Sequence, residues 1–360
     1  MLFNTLIISS LTFFLVEWFL SDKIDDQLAK RISRIFFLIT SAITAIIFAF
    51  NLDSRDWSKY QEKFDRVTMR IEPGFGFLVN VVKKLGGDFT QILWLTGFLF
   101  LITMVLLVRS KHNNLVILLY AIYPLVWDLN QIRNLFMFLF ILYAFYFMAY
   151  GKAIVSYLLI LIATSFHYSA LFYVPLYPLL KLPRKSFYRW MMVLLAIFSM
   201  GAVIVKIALN PMLDWLDSPQ LNYYAHYIGD FSLFYFGIQV IHQCLDLLTV
   251  WWIDRQTTGK LDPETKSQQE VFLRAIFFTT LYLPAVAFFD EIHRLRRNAQ
   301  LVKYMFSANA FRYLNNQQRI IVLVLLLMNL ALTLYMMYVA KDFELFDFVN
   351  ANQLVEWIQR

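Results

Sequence analysis

Residues Ser54–Phe77 read SRDWSKYQEKFDRVTMRIEPGFGF, and this stretch decides how the rest of the chain is read. Ten charges fall in residues 53–72: the cations Arg55, Lys59, Lys63, Arg66 and Arg70, and the anions Asp53, Asp56, Glu62, Asp65 and Glu72. Wound as an α-helix, the cations share one stripe, because they recur at spacings of four, four, three and four. Trp57, Tyr60, Phe64, Val67 and Ile71 gather on another. Ser54 suits an N-cap, and a residue before proline leaves the α region, so the pattern predicts a helix that ends at Glu72-Pro73, with a turn at Gly74-x-Gly76. In isolation such a helix lies in the lipid headgroup layer, cations on phosphate and aromatics among acyl chains. Its place in the chain supports a second reading, as part of a site.

Outward from this stretch the chain is hydrocarbon. Sixty per cent of the 360 residues are hydrophobic, 18% are aromatic, and the mean hydropathy is +0.57, values outside the soluble globular range. A spanning helix needs about 20 mainly apolar residues and an open sheet edge has no place in lipid. The expected fold is therefore all-α, a polytopic membrane protein with roughly 11–12 transmembrane helices and an amphipathic helix on its outer side. Residues 1–340 form a single transmembrane domain, containing the amphipathic loop 51–76, and 341–360 form a short tail. The net charge of +7 comes from cations in short loops, where they set topology, so nucleic acid is not an expected partner and the lipid bilayer is. A single cysteine, Cys244, excludes an internal disulfide and a cysteine-based metal cluster.

Residues 2–20 lack a basic leader and a cleavage site and read as a retained helix. Lys23, Lys30, Arg31 and Arg34 follow, which places that loop in the cytoplasm, and a helix at 35–50 then delivers the opening stretch to the outer face. Helices at 89–108, 115–127 and 134–150 continue the weave. The apolar run 153–182 is too long for one crossing, and Ser165-Phe166-His167-Tyr168-Ser169, Pro175 and Pro178 divide it into two short helices meeting near His167. Helices at 190–209, 231–253 and 271–289 follow, the last leading out to Arg294, Arg296 and Arg297. Residues 298–311 suit either a buried helix or a polar crossing, and 320–340 form the last helix.

Three outer groups break the positive-inside pattern: Arg55 to Arg70, the trio Arg294, Arg296 and Arg297, and Arg133 at a helix start. Cations placed against the rule ask for an anionic partner. Lipid phosphate satisfies Lys59 and Lys63, while for the arginines a buried diphosphate competes, since the guanidinium fork binds phosphate bidentately and keeps its charge. His167, flanked by Ser165 and Ser169, is either a hydrogen-bonded helix contact or a base on the arginine side. His242 and Asp246, four apart, share a helix face and predict a structural hydrogen bond. No Asp-x-Asp pair occurs in an outer loop, so neither a metal nor another cofactor is expected.

Asp56-x-x-x-Tyr60-x-x-x-Phe64, Glu72-Pro73-Gly74-Phe75, Ile132-Arg133-Asn134 and Phe166-His167-Tyr168-Ser169-Ala170 resemble, in order and spacing, the EpsG-like, Wzy-type polysaccharide polymerases of bacterial cytoplasmic membranes. The resemblance covers residues 51–175, and beyond 180 extends to the late outer arginines. It implies an architecture like that of GT-C membrane glycosyltransferases. The implied activity joins oligosaccharide repeat units on polyprenyl diphosphate at the outer face, with inversion at the anomeric carbon. Lipid-linked oligosaccharides and other polysaccharide assembly proteins are the implied partners. In this scheme Arg133 with Arg294, Arg296 or Arg297 takes up the leaving diphosphate's charge, and His167 is the base, with Asp56 and Glu72 as alternatives. Arg55, Trp57 and Tyr60 bind substrate, the aromatics stacking on sugar faces. A flippase for the same lipid-linked glycans and a polysaccharide acyltransferase are the competing readings.

Overall fold

The computed structural model describes residues 2–51, 60–62, 64, 72–216, 233–286 and 293–338, and among them every regular element is helical. Helix α1 (Leu2–Leu20) packs on α2 (Asp26–Ala49), whose N-terminus is capped by the Asp25 carboxylate accepting from the N–H groups of Gln27 and Leu28. This cap starts α2 nine residues before the predicted 35, so Lys30, Arg31 and Arg34 lie on the helix and not in a loop. Then come α3 (Pro73–Lys84), α4 (Phe89–Leu107), α5 (Asn113–Ile122), α6 (Leu125–Asn130), α7 (Ile132–Ala149) and α8 (Ala153–Phe166). The predicted helix 115–127 is thus two pieces, α5 and α6, parted at Tyr123-Pro124 because proline lacks the N–H that would continue α5.

After α8 the chain passes through a 3₁₀ turn, Tyr168–Tyr173, into the short α9 (Leu176–Leu180), so the predicted break near His167 is present. Helices α10 (Arg184–Leu216), α11 (Leu233–Thr257), α12 (Pro263–Phe278), a 3₁₀ turn at Thr279–Tyr282, α13 (Leu283–Val286), α14 (His293–Phe311) and α15 (Asn316–Tyr338) complete the chain. Among the described residues, seven helices are long and apolar enough to cross a membrane, and three shorter apolar helices, at 113–122, 153–166 and 168–180, lie between them. The protein is an all-α polytopic membrane protein. Its lipid-facing side chains are apolar: Ile154 on α8, Met192 and Ile207 on α10 and Phe19 on α1 are each more than 60% exposed.

At one end of the helices the basic segments are tied to acidic ones. Arg184 donates to both Asp254 and Glu270, Arg274 pairs with Glu270, Arg312 with Asp262, and Arg319 with Asp22. Arg274 Nη1 also faces the carbonyls of Leu179, Leu180 and Leu182, closing the C-terminus of α9. The opposite end holds Asn51, whose amide donates to Leu129 O, together with the starts of α3 and α7.

The ambiguous segment 298–311 belongs to α14, which is buried along almost its whole length. A helix this polar survives inside because its groups find partners: Asn298 exchanges amide hydrogen bonds with Asn134 of α7, and Gln300 Nε2 donates to Asp246 Oδ2 at 2.8 Å. Lys303 pairs with Asp246 and donates to Asn329 Oδ1 at 2.9 Å. These contacts correct the expected His242–Asp246 hydrogen bond. Asp246 is committed to Lys303, Gln300 and Asn329 on α14 and α15, while His242 Nε2 faces Thr333 Oγ1 at 3.4 Å.

Candidate active site

The site is built first from a proline. Pro73 occupies the first turn of α3, where its missing N–H leaves no gap, and Glu72 before it is extended, with φ −153° and ψ 100°. The expected turn at Gly74-x-Gly76 is therefore the start of a helix: Pro73 both excludes Glu72 from helical geometry and begins the next one. Gly74 is required by proximity. A Cβ on it would stand 2.2 Å from Ser165 Oγ and 2.9 Å from the Ser165 carbonyl carbon, so the absence of a side chain lets α3 press onto the end of α8. On the other flank of that end, Phe166 stacks on Phe136 and Phe140 of α7, with ring centroids 5.2 and 5.6 Å away. Helices α3, α7 and α8 thus bring Glu72, Arg133 and His167 to one end of the bundle.

Arg133 opens α7 and pairs with Glu72. Its guanidinium carbon lies 5.7 Å from the Tyr60 ring centre, and Tyr60 in turn stacks on Phe89 at 5.9 Å. Both partners hold the cation in place: the carboxylate by charge, the ring by its quadrupole. Tyr60 is buried with one face on Phe89 and supports Arg133. Glu72, only 7% exposed and ion-paired, is likewise a holder of Arg133. The Arg133 side chain is 21% exposed and its Nε has no hydrogen-bond partner among the described residues, so part of the fork can meet an anion.

His167 ends α8 with an extended backbone, and its Nδ1 accepts from the Ser169 N–H at 3.2 Å and faces Ser169 Oγ at 2.8 Å. A backbone N–H only donates, so in the neutral ring the lone pair is on Nδ1 and the proton on Nε2. Burial, and then the positive charges of Arg294, Arg133 and Arg297, push the imidazole pKa below its ordinary value of 6.5. His167 is therefore neutral, and three arginines from two distant parts of the sequence are within electrostatic reach of it.

The arginines of α14 divide. Arg297, fully buried, donates from Nη2 to Gln131 Oε1 at 2.7 Å and sets Nε 3.5 Å from Asp128 Oδ1, while Tyr120 OH donates to the other oxygen of Asp128 at 2.8 Å. Arg294 acts on His167. Arg296, one helical step from Arg297, turns to the opposite side, where its electrostatic neighbours are Tyr123, Tyr282, Asp246 and Tyr235. The structure thus separates Arg296 from the group with which the sequence placed it. Arg55, Asp56 and Trp57 lie outside the described residues.

Sequence reasoning passed over Asp128, Gln131 and Ser169 as site components. Asp128 carried a usable signal, an ionisable group at the end of an apolar run, but its partner lies 169 residues later in the chain, at Arg297. Among the described residues no group of three or more His, Cys, Asp or Glu side chains is arranged to hold a metal ion.

The EpsG family model matches residues 34–351 of this chain. No curated protein and no solved structure matches it. The family match spans α2 through α15, including every described element of the site, and points to a polysaccharide polymerase-like role. This multi-pass membrane protein belongs to the EpsG family.

Proposed function

We propose that the protein is a polysaccharide polymerase. It transfers an oligosaccharide from polyprenyl diphosphate to the sugar hydroxyl of a second lipid-linked repeat unit, at the outer face of the bacterial cytoplasmic membrane. The observation that carries this reading is the set of arginines, Arg133, Arg294 and Arg297, acting on a neutral His167 at the break after α8. Diphosphate leaves readily once its charge is met, and preorganised guanidinium groups meet it without a metal ion. In the step, the acceptor oxygen forms a bond to the donor's anomeric carbon, the bond from that carbon to the diphosphate oxygen breaks, and the configuration inverts.

The acceptor proton goes to His167. Since the basic lone pair is at Nδ1 and Ser169 Oγ lies 2.8 Å from it, Ser169 accepts the proton from the sugar hydroxyl as its own passes to Nδ1, which now caps the Ser169 N–H. Arg133 serves the leaving group, with Glu72 and Tyr60 fixing its fork. Arrival of the anionic donor offsets the cations that hold the imidazole pKa low, so the ring becomes a stronger base once the leaving group is bound.

Purified protein given a lipid-linked repeat unit should produce a ladder of products on a gel. His167→Gln keeps a hydrogen bond but takes no proton at neutral pH, and should slow the ladder by ~10²–10⁴-fold with donor binding kept. Arg133→Lys keeps the charge but loses the bidentate fork, and should weaken donor binding itself. A His167→Gln enzyme that polymerises at the wild-type rate would remove the base from this mechanism.

A further inference from the structure

Arg296 is 3% exposed, and its Nε and Nη1 have no hydrogen-bond partner among the described residues. A buried guanidinium that donates from neither group costs several kcal/mol, so its presence calls for an anion. Asp246, the carboxylate among its electrostatic neighbours, is already committed to Lys303, Gln300 and Asn329. Arg296 and Lys303 against Asp246 leave two cations to one carboxylate in this part of the interior. The phenols of Tyr123 and Tyr282 are buried among its electrostatic neighbours: Tyr282 gives its O–H to Gln239 Oε1 at 3.4 Å, Tyr123 also neighbours Arg297, and a phenol O–H can turn to an anion. The cations whose charge bears on His167 are Arg294, Arg133 and Arg297.

We infer that Arg296, with Tyr123 and Tyr282, is the head of a second anion site, on the far side of α14 from His167, which takes the diphosphate of the second lipid-linked substrate. The inference rests on the proposed reaction, whose acceptor is itself carried on a diphosphate that is not cleaved in that turn. Two such groups are present at once, and α14 faces one with Arg294 and Arg297 and the other with Arg296. The acceptor's diphosphate wants a cation that binds without activating departure. A site remote from the base supplies that.

The test counts bound polyprenyl diphosphate by native mass spectrometry on the full chain in phosphatidylcholine nanodiscs. Two equivalents are expected for the wild type, one for Arg296→Gln, and one for Arg133→Gln. Tyr123→Phe should weaken one equivalent, and losing charged hydrogen bonds in Arg296→Gln corresponds to about ten- to hundred-fold in affinity. If Arg296→Gln does not yield folded protein, Arg296→Lys decides, since it keeps the charge and loses the fork. Two equivalents of unchanged affinity in the Arg296 variant overturn the second site while leaving the first. Displacement of one equivalent by phosphatidylglycerol overturns it too, by making the anion a phospholipid headgroup. A wild type that binds none defeats the inference together with the polymerase reading.

Discussion

Gly74→Ala tests whether the contact between α3 and α8 positions the site. The new Cβ would sit 2.2 Å from Ser165 Oγ, 2.9 Å from the Ser165 carbonyl carbon and 2.9 Å from its Cβ. The hydroxyl can rotate away, but the backbone carbon cannot, and carbon atoms rest at about 3.5–4.0 Å. The helices must therefore separate by roughly half an ångström or more, an overpacking that costs about 1–3 kcal/mol. Glu72 is two residues from the insertion and ion-paired to Arg133, and His167 is two residues beyond Ser165, so the displacement falls between the two halves of the site. A misplacement of this order costs up to ~10²-fold in rate. The expected result is a folded protein of lowered thermal stability, read by intrinsic fluorescence in detergent, with ladder formation reduced by roughly ten- to hundred-fold. Ser165→Ala alone should be close to neutral, and added to Gly74→Ala it should restore only part of the loss, because the contact with the carbonyl carbon remains. Wild-type stability and rate in Gly74→Ala would refute the claim that this contact sets the geometry.

His167 also carries a pH prediction: its pKa is held below the ordinary value by burial and by Arg294, Arg133 and Arg297, so the base is lost only when pH falls well under 6.5. Arg294→Gln removes one of those cations and should move the acid limb of kcat/KM to higher pH, and in the wild type the acid limb of kcat, read with donor bound, should lie above that of kcat/KM; coincident profiles would contradict the electrostatic coupling. With Cys244 replaced, a cysteine at the exposed Tyr168 should react with an impermeant thiol reagent in intact cells and one at Thr258 should not, and the reverse pattern would turn the site to the cytoplasm. Lys303→Met should destabilise by about 3–5 kcal/mol in unfolding experiments by taking the ion-pair partner from a buried carboxylate, and Lys303→Met with Asp246→Asn should lose less, because the neutral amide needs no counter-charge; a double variant as unstable as the single one would show that the charge on Asp246 matters little.

The sequence by itself determined the class of the molecule, since 60% hydrophobic residues in long runs leave no alternative to helices in lipid. It also marked the break at His167 and singled out Arg133 and the late arginines, because a charge against the topology rule is visible without coordinates. Helix ends were legible only where local chemistry decides them: Asp25 as a cap was available to be read, yet the charged residues after it look like a loop until the helix is seen. The turn expected at Gly74-x-Gly76 is a helix start for a related reason, since a proline can stand in the first turn of a helix as well as after the end of one. Tertiary structure alone decided what each side chain faces. Arg296 and Arg297 are adjacent in sequence, but about 100° per residue turns one to Tyr123 and Tyr282 and the other to Asp128 and Gln131. The same applies to Asp246, which exchanged its predicted local partner His242 for Lys303, a residue 57 positions away. Pairings of this length are chosen by how whole helices pack, and a pattern of three or four residues holds no record of that choice.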